Sequence, residues 1–314
     1  MRSYRSMLRE QKAQDRHREQ LEAANEVAQY ERYVDLLLSL HKECSEPWNW
    51  PALAVARQPV AALRSNANEL AVQSVLDAYT PGFSERLFGG AKRRRAELEA
   101  SVARARQRDD SDYGAVIEQY QRDHAFWTSC RAVGERIVAG DVCAYGDALL
   151  IAGAFQELLA FGTRVEIVGV WPDAMAFACE ITDDELIPSE EVSLTSKGKL
   201  STRSMAKGRY WALYQDHVCS AAIRVGREAL AVLPVRRVVV NIGPIRTNPA
   251  TGHREPVTYL AALFTHENLG RINLHQIDPS DSMANFPHRM RFKKTSGFEP
   301  IERMTLDENW VTTG

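Results

Sequence analysis

The chain reads as an α+β protein: a long N-terminal helical, coiled-coil-like arm over residues 1–140, then an α+β domain over residues 141–314. That domain is expected to be a two-layer sandwich with a mainly antiparallel sheet. Three observations predict this. The first 140 residues hold long runs with few Pro or Gly and apolar positions at three- and four-residue spacing. The C-terminal half contains a near-repeat, Leu158 to Val168 against Val232 to Val240, in which an apolar helix end turns on Gly or Pro, shows Arg and enters a β-branched run. The order of elements after residue 140 is helix, strand, strand, helix, strand, strand. That order suits helices packed on an antiparallel sheet, a helix-strand-strand unit used twice.

From Tyr4 to about His41 there is no Pro or Gly, and charges of both signs alternate before a stripe of Val27, Tyr30, Val34, Leu37 and Leu38. One helix is expected, solvated in its first half and docked in its second. Pro47 and Pro51 end it, because Pro lacks a donor and disfavours helix at the residue before it. Ser65 to Tyr79 reads as a helix stopped by Thr80-Pro81-Gly82. Ala91 to about Val138 is the longest helical reading, with Leu98, Val102, Ala105, Tyr113, Val116, Tyr120 and Trp127 near a 3.5-residue repeat. Gly114 and the run Asp109 to Asp112 are expected to interrupt it. Whether this arm folds back on itself or pairs between chains is left open by the spacing.

Beyond Gly140, Tyr145 to Phe161 reads as a buried helix. Strands follow at Arg164 to Val170 and Ala174 to Ile181, joined by the turn Trp171-Pro172-Asp173. Thr182 to Ser201 reads as a polar loop and Thr202 to Val232 as a long helix capped by Ser201 or Thr202. Two further strands, Arg237 to Ile245 and Val257 to Thr265, flank the turn Asn248 to Gly252.

At 314 residues, 45% hydrophobic and 25% charged, the chain has room for two domains and a packed core. No run approaches the ~20 apolar residues of a membrane span, and the charged start does not read as a signal segment. Five cysteines, an odd number without a close pair, encode neither a disulfide framework nor a CxxC metal knuckle. A soluble, cytoplasmic, bacterial protein is expected. No membrane partner and no metal site are expected.

The net charge of -2 hides segregation. Lys197, Lys199, Arg203, Lys207 and Arg209 lie in a stretch free of acids, and Arg289, Arg291, Lys293 and Lys294 alternate with apolar residues as on a strand with one wet face. These nine are the expected anion-binding residues, because clustered cations at a helix start can track a phosphate backbone. An acidic run, Asp183, Asp184, Glu185, Glu190 and Glu191, immediately precedes the first group. Another basic cluster, Arg86, Lys92, Arg93, Arg94, Arg95, Arg104, Arg106 and Arg108, reads as a solvated helix face.

Catalytic candidates are few. Asp173, Glu180 and Lys199 are similar to the acid-acid-lysine set of metal-dependent nucleases, although the short Asp/Glu-x-Lys spacing is absent. His217 and Cys219, two apart on a helix, point to different faces and cannot form a nucleophile-base pair. No Walker A motif, GxGxxG fingerprint or GxSxG elbow occurs, so no cofactor is expected. The resulting expectation is a non-enzymatic or accessory subunit that assembles through its arm, as a homo-oligomer or in a larger complex, and binds DNA or RNA. A nuclease-like hydrolase and a purely structural oligomerisation protein are the alternatives, and whether the chain is an enzyme is left undecided.

Overall fold

The computed structural model describes residues 4–61, 63–182 and 186–306. The architecture is α+β, and contacts divide the chain into two units: Met1–Asn49 with Ala139–Gly314, and Trp50–Val138. This division differs from the expected one at residue 140, because the first helix, α1 (Tyr4–Leu38), belongs by its contacts to the sheet-containing unit.

The helical unit comprises α2 (Trp50–Ala54), α3 (Ala67–Asp77), α4 (Phe83–Leu87) and α5 (Gly90–Val138). At 49 residues α5 is about 73 Å long. It is unbroken, contrary to the expected interruption at the acidic run and Gly114. The physical reason is that Asp109 is spent on a tertiary contact. Its buried carboxylate accepts hydrogen bonds from the backbone N–H groups of Asn68 (3.2 Å) and Glu69 (2.8 Å) and from the Asn68 side chain (2.9 Å). It thereby caps the first turn of α3 from a neighbouring helix. Gly114 is exposed and costs about 1 kcal/mol in propensity, which a helix of this length tolerates.

Tyr113, Ile117, Tyr120, His124 and Trp127 form a half-buried stripe on α5. The segment after α2 lies along it: Trp127 Nε1 donates to the Ala56 carbonyl (3.0 Å), and Gln58 contacts His124 Nε2 (2.9 Å). Within this unit the helical segment therefore folds back on itself, with α2, α3 and α4 all packed on α5.

In the other unit α1 is followed by a short 3-10 turn (Leu40–Lys42), α6 (Ala144–Ile151) and α7 (Gln156–Ala160). The helix expected over Tyr145 to Phe161 is thus two pieces. Gly153 (φ 65) and Phe155 (φ 68) break it with left-handed conformations, unusual for the non-glycine Phe155, whose ring packs edge-on against Phe177 at 5.5 Å. Then come β1 (Thr163–Trp171), β2 (Ala174–Ile181), β3 (Glu190–Leu194), β4 (Leu200–Ser204), α8 (Lys207–Val232), β5 (Arg237–Gly243), β6 (Ile245–Thr247), β7 (Arg254–Pro256) and β8 (Leu260–Thr265). The last elements are α9 (His266–Gly270), α10 (Pro279–Ser282), β9 (His288–Met290), β10 (Phe292–Lys293) and β11 (Gly297–Phe298).

The main sheet has the order β1-β2-β5-β8-β9. Three of its pairings are antiparallel and β2-β5 is parallel, which requires the crossover that α8 supplies. The near-repeat corresponds to α7-β1-β2 and α8-β5-β8, with β2 and β5 adjacent at the centre.

Strand alternation sends Met175, Phe177, Val238, Val240 and Phe264 to one face, against α8. Ala176, Val239, Ala261 and Leu263 point the other way and pack with Met304, Ile301 and Leu306. The C-terminal segment is thus a strap across the second face. Asn241 holds it with both ends of its amide, donating to the Met304 carbonyl (3.0 Å) and accepting from the Met304 N–H (2.8 Å).

Two boundaries differ from expectation and bear on function. Residues 190–194 and 200–204, expected as loop and helix start, form the β3-β4 hairpin, and α8 begins only at Lys207. The small hairpin β6-β7 occupies the expected strand ends around Asn248 to Gly252.

A candidate anion-binding surface

The β3-β4 hairpin positions the first basic group. Its loop, Thr195 to Lys199, closes through the Thr195 N–H to the Lys199 carbonyl (2.8 Å), with Gly198 at φ 70, a conformation that favours glycine. Gln20 of α1 donates to the Lys197 carbonyl (3.0 Å), so the hairpin tip is pinned to α1. Between them lies a cleft of about 530 Å³ where Lys197, Lys199 and Arg16 meet Glu19, Glu22 and Glu26. The tip is therefore a mixed-charge surface.

The start of α8 differs. Ala206 occupies its N-cap without a side-chain hydrogen bond, and no acid lies in the first turn. The expected caps, Ser201 and Thr202, are in β4 instead. The first N–H groups of α8 thus lack a side-chain cap, beside Lys207 and Arg209, where the helix dipole adds positive potential.

The chain brings a second basic segment to this place. A Cβ on Gly208 would lie 3.8 Å from the Lys294 carbonyl, and the ring of Trp211 covers Gly297 so closely that a Cβ there would be 2.5 Å from it. Lys293 and Lys294, eighty-odd residues downstream, therefore border the start of α8. Tyr30 of α1 adjoins as well: burial raises its phenol pKa, with Glu191 adding to the rise and Arg209 opposing it.

The nine expected residues separate by partner. Arg203 is paired with Glu191 (2.7 Å) and Lys293 with Glu299, while Arg289 donates to the Arg303 carbonyl (3.0 Å). Lys197, Lys199, Lys207, Arg209, Arg291 and Lys294 make no ion pair among the described residues. Arg289 opposes Ala261 in the sheet register, which puts it on the strap face, away from α8. Met290 sits on the α8 side, its sulfur 4.0 Å from Cys219. The structure thus gathers Lys207, Arg209, Lys293 and Lys294 and leaves Arg289 elsewhere. Of the acidic run, Asp183, Asp184 and Glu185 lie outside the described residues.

The nuclease-like set is not brought together. Asp173 sits in the β1-β2 turn, paired with Arg237 (3.2 Å), and Glu180 is at the far end of β2, paired with Arg164 (3.3 Å). Seven residues of extended chain separate them by about 23 Å, far beyond what one ion can bridge. Lys199 lies on the hairpin tip against α1. Among the described residues no group of three or more His, Cys, Asp or Glu is placed to hold a metal.

Sequence reasoning missed a buried polar seam along α8. Arg224 pairs with Glu228 (3.2 Å), a carboxylate that also accepts from the backbone and hydroxyl of Ser45. Arg227 donates to the His41 carbonyl, and His41 bonds Ser220 through its N–H (3.0 Å) and Nδ1 (2.9 Å). His217 Nδ1 lies 3.0 Å from the Leu37 carbonyl, facing away from Cys219 as its spacing requires. Apart from the Arg224–Glu228 pair, four residues apart on α8, the partners are some 180 residues apart in sequence, so no local pattern could reveal them. The seam fixes the end of α1 to α8.

No family model, curated protein or solved structure matches this chain. Among the described residues, no helix is long and apolar enough to cross a membrane.

Proposed function

We propose that the protein is a non-enzymatic or accessory subunit that binds a polyanion, nucleic acid in our reading, at the start of α8. The observation that carries this is the convergence of Lys207 and Arg209 with Lys293 and Lys294 around a helix N-terminus that has neither a side-chain cap nor an acid in its first turn. Free N–H groups, the dipole and several cations in one place favour a phosphate, and repeated phosphates favour it more. Assembly through the helical segment belongs to the same proposal. It is supported by exposed apolar residues on α3 and α5, including Leu70, Val75 and Val116.

Charge reversal tests the surface. Lys207→Glu with Lys294→Glu is expected to weaken binding of a labelled oligonucleotide and to lower the salt slope by about one per lysine removed. Lys199→Glu, on the mixed-charge tip, is expected to change it less. Equal affinity of the double variant and the unaltered protein in fluorescence anisotropy would exclude this surface.

A further inference from the structure

Between α3 and α5 the chain turns through α4, and this turn displays two aromatic side chains with almost no cover. Phe83 is 82% exposed and Phe88 is 83% exposed, among the most exposed large apolar residues described. Leaving two phenyl rings in water is costly, since burying one is worth about 1.5 to 3 kcal/mol.

The surroundings of the two rings are strongly basic. From Ala78 to Ala96 the only acid is Glu85, against Arg86, Lys92, Arg93, Arg94 and Arg95, so five bases less one acid leave a net charge of four positive. Glu85 is used inside the turn, where its carboxylate accepts from the Tyr79 hydroxyl (3.0 Å) and the Gly82 N–H (3.0 Å). Arg93 and Arg94 share Glu97, and Arg95 pairs with Glu99, all in exposed pairs of little strength. Arg86 and Lys92 make no ion pair among the described residues. Lys92 and Arg95 line a polar cleft with Asp77 and Tyr79.

We infer that this turn is a membrane-surface contact, with Phe83 and Phe88 inserting among the lipids of an anionic bilayer and Arg86 and Lys92 to Arg95 holding the headgroups. Protruding aromatic residues ringed by cations match a surface that is apolar a few ångströms below a negatively charged layer. An acidic protein would satisfy the cations but needs a preformed apolar pocket for each ring. Bases of a single-stranded nucleic acid stack on one face of a ring, whereas lipid covers both faces and the edge of rings as exposed as these. The expectation of no membrane partner rested on the lack of a spanning segment, which a surface contact does not require.

Vesicle flotation with the full chain tests it. Binding is expected to vesicles of phosphatidylcholine mixed with phosphatidylserine, and not to phosphatidylcholine alone, and to weaken with salt. Phe83→Ser and Phe88→Ser are each expected to lower the partition coefficient about tenfold or more. Neutralising Arg86 and Lys92 to Gln is expected to lower it about fivefold per charge. All these side chains are exposed, so unaltered circular-dichroism melts should accompany the loss. Lys207→Glu with Lys294→Glu should leave vesicle binding intact, which separates this contact from the α8 surface. The inference fails if the anionic vesicles are not bound, if neutral vesicles bind equally, or if the Phe variants bind like the parent. It fails equally if those variants lose oligonucleotide binding or self-association in place of vesicle binding.

Discussion

At the residue scale, single side chains make connections that elsewhere take whole elements. Asn241 satisfies both backbone groups of Met304 inside a buried layer, so Asn241→Ala leaves an N–H and a carbonyl without partners. That is expected to cost about 2 to 4 kcal/mol and to expose residues 300–306 to proteolysis, measurable by denaturant unfolding and limited digestion. The buried His41 and the half-buried Asp216 give opposite pH signatures. Burial, with Lys42 adding to it, pushes the His41 imidazole down to about 4, so the folded state favours the neutral ring. The unfolded chain then binds more protons, and stability from this group is complete above about pH 6.5 and is lost as pH falls toward 4. Burial, with Asp278 adding to it, pushes the Asp216 carboxyl up to about 6 against the hydrogen bonds from Ser280. Its contribution has the reverse sign, complete below about pH 4 and lost as pH rises through 6. Acid unfolding between pH 6.5 and 4 should therefore become shallower in His41→Gln and steeper in Asp216→Asn. Identical pH profiles for both variants and the parent would show that neither group titrates as its surroundings require.

At the scale of elements, α8 organises the sheet-containing unit. It provides the crossover between β2 and β5, carries the polar seam to α1 and presents the basic surface at its first turn. Its approach to the sheet is close enough that a Cβ on Gly226 would lie 2.4 Å from the Phe264 ring. Gly226→Ala is expected to destabilise by about 1 to 3 kcal/mol through displacement of that ring, despite the better helix propensity of Ala, as read by thermal melting. This element also shows what the sequence made legible. The apolar periodicity located the body of α8, β-branched runs located β1 and β5, and the turns Trp171-Pro172-Asp173 and Asn248 to Gly252 located β2 and β8 after them, because these signals are local. The β3-β4 hairpin was not legible: Ser201, Thr202 and Ser204 are helix-cap residues in composition, and only pairing with Glu190 to Leu194 makes them a strand. The same misplacement hid the uncapped start of α8. The interruption expected in α5 failed for a related reason, since Asp109 takes its meaning from Asn68 and Glu69 on another helix.

At the scale of the whole molecule, the α+β class and the doubled helix-strand-strand unit followed from the order of elements, while the grouping of the basic residues did not. Nine residues in two segments looked like two patches. The fold merges Lys207 and Arg209 with Lys293 and Lys294, neutralises Arg203 and turns Arg289 to the strap face. No sequence spacing could have sorted them, because sorting depends on which sheet face each occupies and on carboxylates contributed by Glu191 and Glu299. The two proposed contacts lie in different units, the α8 surface in one and the Phe83 to Arg95 turn in the other. The most direct measurement of the central proposal is the salt dependence of oligonucleotide affinity in the full chain. Contacts from Lys207, Arg209 and Lys294, with Lys293 held by Glu299, call for a logarithmic slope of about -3, lowered in Lys207→Glu with Lys294→Glu. Affinity that is undetectable at low salt, or that shows no slope with salt, would contradict a polyanion-binding role for this surface.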